Sequence, residues 1–280
     1  MRAVTEKGIL CFRKTVLDYF TTHGRSFPWR ETTDPYAILV SEIMLQQTQT
    51  ARVADYFPRF MRQFPTIESL AAAPLRAVLS LWQGLGYNRR ALFLKRCAEA
   101  LVERYRGVFP QTIGDLISLP GIGPYTARAV LVFAFNQPHV IIETNIRAVF
   151  LHHFFPRRDN VPDREITPLV EKTLDRGNPR QWFFALMDYG SHLKEIYRNP
   201  SRRSAHHTVQ PPFEGSNRQL RGAILRCLAA GPLSRKALVK VVADDLGKET
   251  REMKRLSLAL SSLCRDNLIQ KKGGFYSLSD

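Results

Sequence analysis

The sequence predicts a mainly α-helical protein with a small mixed module at its C-terminal end. Three observations carry that prediction. Apolar residues recur at helical spacing from the start of the chain to about residue 198. Prolines, glycines and capping residues punctuate this stretch where helices would begin and end. After residue 217 come three more helical patterns and then IQKKGGFYSL, two short β-prone runs around Gly273-Gly274. A chain of 280 residues suits two or three domains.

Taken in order, Asp34-Pro35 reads as an N-cap and first helical residue, opening a helix through Ile38, Leu39, Glu42, Ile43 and Leu45. Ala73-Pro74-Leu75 opens another, with Leu75, Val78, Leu79 and Trp82 on one face and Gly84 and Gly86 beyond its end. A basic helix runs from Arg89 through Lys95. In LPGIGPYTARAV (Leu119 to Val130) a short apolar helix runs into Pro120-Gly121-Ile122-Gly123, and a second helix starts at Pro124. Val140-Ile141-Ile142 is β-branched but only three residues long. Residues 199–217 (NPSRRSAHHTVQPPFEGSN) read as a linker. Beyond it, helices are expected over Leu220 to Leu228, Ser234 to Val242 and Lys248 to Arg265, followed by a basic two-stranded hairpin. Three helices and a wing resemble a winged helix, with a helical docking module bearing a β tail as the alternative. The expected division is 1–198, a linker at 199–217, and a winged-helix-like domain at 218–280.

Charge narrows the function. Lys and Arg number 41 against 25 Asp and Glu, a net charge of +16. Such an excess attracts polyanions, and phosphate contacts then supply salt-sensitive affinity. No apolar run approaches the roughly 18–20 residues of a membrane-spanning helix, and the start, MRAVTEKG, has no secretory or lipidation signal. The expectation is an intracellular protein of the cytoplasm or nucleoid that faces nucleic acid. Cys11, Cys97, Cys227 and Cys264 share no ligand spacing, which argues for buried apolar roles rather than a metal site. His152-His153 and His206-His207 are adjacent pairs, a poor arrangement for a metal, and no metal ligands are expected.

Two acids could do chemistry. Glu42 lies in VSEIMLQQTQT, between Ile38, Leu39 and Val40 on one side and Ile43, Met44 and Leu45 on the other. A carboxyl buried there would hold its proton to higher pH and could donate it to a leaving group; a glutamate on the solvated stripe of the helix is the plainer reading. Glu143 lies in VIIETNIRAV beside Asn145. If both reach one pocket, one carboxyl can protonate a departing base while the other, ionised, offsets positive charge on the sugar carbon. The glycine-rich turn at Gly121 and Gly123 has two readings, a phosphate cradle at a helix N-terminus or an ordinary connection.

The segments FPWRETTDPYAILVSEIMLQQTQT, LWQGLGYNRRAL, LPGIGPYTARAV and IIETNIRAV together resemble the helix-hairpin-helix DNA glycosylases of the endonuclease III superfamily. Within it they are most similar to the adenine-excising, MutY-type mismatch glycosylases, over about residues 8–195. The resemblance implies a fold of two all-α lobes around a DNA-binding cleft, acting as a monomer on double-stranded DNA with mismatches or oxidised guanine. It implies that Glu42 protonates the adenine ring and activates water, while Glu143, with Asn145 beside it, stabilises the oxocarbenium-like sugar. Tyr125 stands where bifunctional relatives have a nucleophilic lysine; a phenol forms no Schiff base, so a monofunctional enzyme is implied. Trp29, Arg30 and Leu45 match the adenine pocket, and Gln47, with Thr48 next to it, and Tyr87 match side chains that wedge into the stack as the base flips out. Gly121 and Gly123 would hold a DNA phosphate, with a monovalent cation at the hairpin.

Five departures from that family stand out. Its four cysteines, spaced C-x6-C-x2-C-x5-C after a segment like MDYGS, are absent; Lys194, Tyr197, Arg202 and Arg203 occupy the region, so no iron–sulfur cluster is expected. Glu143 replaces an aspartate. Asn88 replaces a second tyrosine. Phe184 replaces a glutamine that hydrogen-bonds the flipped adenine. A winged-helix-like module replaces a Nudix-like reader of the opposite base. The leading expectation is a clusterless, monofunctional glycosylase that removes adenine mispaired with guanine or 8-oxoguanine. Its rivals are a mismatch glycosylase for thymine or uracil opposite guanine, and a non-catalytic lesion-binding protein.

Overall fold

The structure, a computed structural model, describes residues 5–247 and 255–279. Among them lie fourteen α-helices and one small sheet. In chain order the helices are α1 Glu6–His23, α2 Pro35–Leu45, α3 Thr50–Gln63, α4 Ile67–Ala72, α5 Leu75–Trp82, α6 Arg89–Tyr105 and α7 Ile113–Ile117. They continue as α8 Pro124–Phe135, α9 Thr144–Phe154, α10 Asp163–Thr173, α11 Pro179–Ile196, α12 Asn217–Ala229, α13 Arg235–Asp245 and α14 Leu256–Arg265. The strands are β1 Leu233–Ser234, β2 Ile269–Lys272 and β3 Phe275–Leu278. Two compact units result: Met1–Ile38 with Gln111–Leu116 and Gly123–Val209, and Leu39–Pro110 with Ile117–Ile122 and Gln210–Asp280.

The first unit packs α9 against α11, with α1, α8 and α10 around them. Its core is aromatic: Phe150, Phe155, Trp182 and Phe183 are fully buried, and the Phe12 ring meets Phe150 at 5.5 Å and Trp182 at 6.0 Å. Helix α11 begins with a polar cap and a proline. Asn178 accepts a hydrogen bond from the Gln181 amide, and Pro179 occupies the first helical position. Gly190 lets α11 approach α9 closely, because a Cβ there would collide with the Asn145 carbonyl.

The second unit buries Phe60, Leu70, Trp82, Leu94 and Leu101 among α3–α6. Asp34 caps the start of α2 as expected, accepting from the Tyr36 amide at 3.0 Å and the Ala37 amide at 3.3 Å. Helix α5 begins after Pro74 and buries Leu75, Val78, Leu79 and Trp82, the face read from the sequence. Val140–Ile142 form no strand.

The C-terminal part shows three features. Helix α12 packs against α5, and residues 210–280 group with 39–110. The hairpin of β2 and β3 turns at Gly273 and Gly274, with φ of 54° and 84°, and β1 adds a third strand in the order β1-β3-β2. The segment called a linker is in part built structure: Pro200–Arg203 form a 3-10 turn, Ser201 is buried, and Val161 bridges Ser204. The expected helical start at Lys248 lies outside the described residues.

Candidate active site

The predicted site residues divide between the two units. In the first, Glu143 is the N-cap of α9: its Oε1 accepts from the Asn145 amide at 2.8 Å and the Ile146 amide at 3.0 Å. The residue is half-buried, but its carboxyl end is enclosed, and burial pushes its pKa up; the two amides, Lys194 and Arg147 oppose that. Lys194 Nζ donates to Asn145 Oδ1 at 2.9 Å, which places a cation beside the expected oxocarbenium pair. Arg147 is held by Asp163 through two donations at 2.8 and 2.7 Å. Tyr125 lies half-buried in the first turn of α8 and acts electrostatically on Arg147. Glu143, Asn145 and Tyr125 thus share a neighbourhood defined by Lys194 and Arg147.

A second cluster in this unit surrounds Asp188. Arg30 donates to both of its oxygens at 2.8 and 2.9 Å, and Arg25 adds its amide and its Nε, each at 2.8 Å. Burial alone would raise the Asp188 pKa, but the arginine bonds and charges bring it below the usual carboxylate value. Arg30, fixed this way, lies 4.6 Å over the Phe184 ring, which stacks on Phe133 at 4.8 Å. Trp29 is buried and stacks on Phe27 at 5.0 Å. Of the expected adenine-pocket residues here, Trp29 is held by stacking and Arg30 by its ion pair, and Phe184 offers no hydrogen bond to a base. Sequence reasoning missed Asp188; its signal was an acid inside the apolar run FFALMDYG.

The second unit carries Glu42, Leu45, Gln47, Thr48 and Tyr87. Glu42 and Leu45 are half-buried on α2, and Gln47 is exposed on the turn beyond its end. Two of these residues adopt left-handed backbone, Gln47 with φ of 56° and Tyr87 with φ of 50°. A cleft of about 900 Å³ opens beside them, lined by Gln47, Tyr87, Arg89, Arg218, Arg221 and Asp266 among others. Arg218 donates to the Tyr87 hydroxyl at 2.9 Å, and Gln210 donates to it as well. Arg90, half-buried, also lines the cleft, and burial lowers its pKa to about 10.

At the glycine turn, Gly121 takes φ of +77°, and a Cβ there would lie 2.6 Å from Phe93 Cβ, so this position requires glycine. Gly123 caps α8 with extended backbone and Pro124 occupies its first turn.

Cys11, Cys97, Cys227 and Cys264 lie on four different helices, and no group of three or more His, Cys, Asp or Glu is placed for a metal among the described residues. After α11 the chain is held by protein contacts instead. Arg203 donates to the Phe155 carbonyl and, at 2.9 Å, to the Leu151 carbonyl, covering acceptors at the C-terminal end of α9. No helix is long and apolar enough to cross a membrane among the described residues.

Comparison with known proteins agrees with this architecture. Residues 40–174 match the family model of the HhH-GPD superfamily base excision DNA repair proteins. The adenine DNA glycosylase of Mycobacterium tuberculosis is 33% identical over 280 residues, covering 91% of this chain and 89% of that protein. The adenine DNA glycosylase of Buchnera aphidicola subsp. Baizongia pistaciae is 37% identical over 187 residues; the match covers 65% of this chain and 52% of that protein. A solved thermostable thymine-DNA glycosylase superposes with a TM-score of 0.60 at 27% identity, over 67% of this chain and 88% of that one. With a relative this similar along nearly its whole length, the chain belongs to the HhH-GPD superfamily of base excision DNA repair proteins.

Proposed function

We propose that the protein is a monofunctional DNA glycosylase that hydrolyses the bond between adenine and its sugar, where adenine is mispaired with guanine or 8-oxoguanine in double-stranded DNA. What carries the reading is the similarity, along 91% of the chain, to a protein named adenine DNA glycosylase. In this reading Glu42 protonates the extruded adenine, which becomes a better leaving group, and then activates water. Glu143, ionised, offsets the positive charge that develops on the sugar, with Asn145 and Lys194 fixing its surroundings. Tyr125 cannot form a Schiff base, so the product is an intact strand with an abasic site. Gly121, Gly123 and the N-terminal end of α8 grip a phosphate, with a monovalent cation at the turn. The protein works as a monomer on nucleoid DNA and without an iron–sulfur cluster, the turn pinned by Arg203 serving where the family's cluster would stand.

A second reading is thymine or uracil opposite guanine. Phe184 supports it, because a phenyl ring replaces the glutamine expected to hydrogen-bond adenine, and the thymine-DNA glycosylase likeness points the same way. Single-turnover reactions on labelled duplexes with A opposite 8-oxoguanine, A opposite G, T opposite G and U opposite G, developed with hot alkali, separate the two. Release of adenine, and strand cleavage only after alkali, is the expected outcome. Release from the pyrimidine mismatches alone would overturn the adenine reading, and tight binding without any release would leave a lesion-binding protein.

A further inference from the structure

We infer that Arg90 is the positioning residue of a two-part wedge, holding Gln47 and Tyr87 together so that they enter the base stack as one body. The inference rests on the base-extruding reading above. Among the described residues Arg90 makes no ion pair with a carboxylate; its guanidinium is spent on backbone carbonyls and one hydroxyl. Nη1 donates to the Ile43 carbonyl at 2.8 Å, the Met44 carbonyl at 2.9 Å and the Gln46 carbonyl. Nη2 donates to the Gly86 carbonyl at 3.0 Å, the Leu85 carbonyl at 3.2 Å and Thr48 Oγ1 at 3.1 Å.

These acceptors form two sets. The first is the end of α2, whose last carbonyls have no intrahelical donors. The second is the loop after α5. Each set adjoins a side chain in left-handed backbone: Gln46 and Thr48 lie on either side of Gln47, and Gly86 directly precedes Tyr87. Non-glycine residues hold that conformation only where their surroundings over-determine it. One planar group with a fixed fork of donors does this for both segments at once, and lysine, a single point of charge, cannot. The Tyr87 ring also lies 5.4 Å from the Arg90 guanidinium, and Trp82, at 5.5 Å from it, donates to the same Gly86 carbonyl at 3.1 Å.

The test uses the full chain and Arg90→Lys. A duplex with 2-aminopurine opposite guanine reports extrusion as a fluorescence rise at saturating protein. Wild type is expected to give the rise and Arg90→Lys to lose most of it. Excision of adenine from a paired duplex is expected to fall by about 10²-fold, the scale set by a misplacement near 1 Å. Excision of the same adenine from an unpaired bubble, where no wedge is required, should fall less than about threefold by the same reasoning. In a Gln47→Ala/Tyr87→Ala background, Arg90→Lys should change the paired rate by less than about twofold, since residues acting through one another are not additive. Equal losses on paired and bubble DNA, or full additivity in the wedge-less background, would show a general folding defect and overturn the assignment. So would a wild-type fluorescence rise retained by Arg90→Lys, or no rise in wild type. A wild-type rise without adenine release would sink the adenine reading alone.

Discussion

Glu143 has two tasks that pull against each other. As N-cap of α9 it accepts two amides, with a side chain one methylene longer than the residues that usually cap helices. Both capping and charge stabilisation want the carboxylate, while burial favours the acid. Its folded pKa is raised above the ordinary value, so the folded state keeps its proton where the unfolded chain has lost it. Stability from this group is therefore full below the unfolded pKa and falls as pH rises through the folded one. Glu143→Gln keeps an accepting oxygen and removes the charge. The expected outcome is that the melting temperature of the variant, relative to wild type, increases between pH 4 and pH 8, while excision drops by roughly 10²-fold or more. A melting difference independent of pH would show that the carboxyl ionises as freely in the fold as in the open chain.

Between elements, the pairing of α9 with α11 sets how the first unit's candidate site residues are placed. Helix α11 brings Asp188, Phe184 and Lys194, and α9 starts with Glu143 and Asn145. Gly190 sits where the two backbones meet, beside Asn145. Gly190→Ala is expected to destabilise the protein by about 1–3 kcal/mol, the cost of overpacking, as read from urea unfolding. Because the clash is with the Asn145 backbone, excision at saturating DNA should fall more than DNA affinity. A stability loss with an unchanged rate would place Gly190 in packing alone. The starts of α2, α5 and α8 were legible in the sequence, because Asp34, Pro74 and Pro124 act on their own neighbours. The docking of α12 on α5 was not, since it depends on which apolar faces find each other rather than on any one of them.

At the scale of the whole molecule, the net charge of +16 is the dominant physical fact. It is carried in part by arginines that other groups already hold: Arg25 and Arg30 by Asp188, Arg147 by Asp163, Arg90 by backbone. Exposed cations outside such pairs can displace counterions from DNA. Affinity for undamaged duplex is expected to fall with salt along a log–log slope of about −4 or steeper, the signature of roughly five or more phosphate contacts. Fluorescence anisotropy across a salt series measures it, and a slope shallower than about −2 would show that most of the charge lies away from DNA.

By itself the sequence determined the helical class, the caps, the glycine turn, the basic character and the motif residues from Trp29 to Asn145. These are encoded in short-range spacing and in residue types whose backbone preferences act within a few positions. The tertiary structure decided what those residues lean on. Asp188 gathers two arginines about 160 positions away in sequence. Arg203 covers the end of α9, and Lys194 reaches Asn145. Arg90 looked like one more charge on a basic helix; folded, it bonds six acceptors in two segments. A carbonyl at a helix end accepts from whichever donor the fold delivers. Such partnerships leave no periodic trace, and only the assembled chain reveals them.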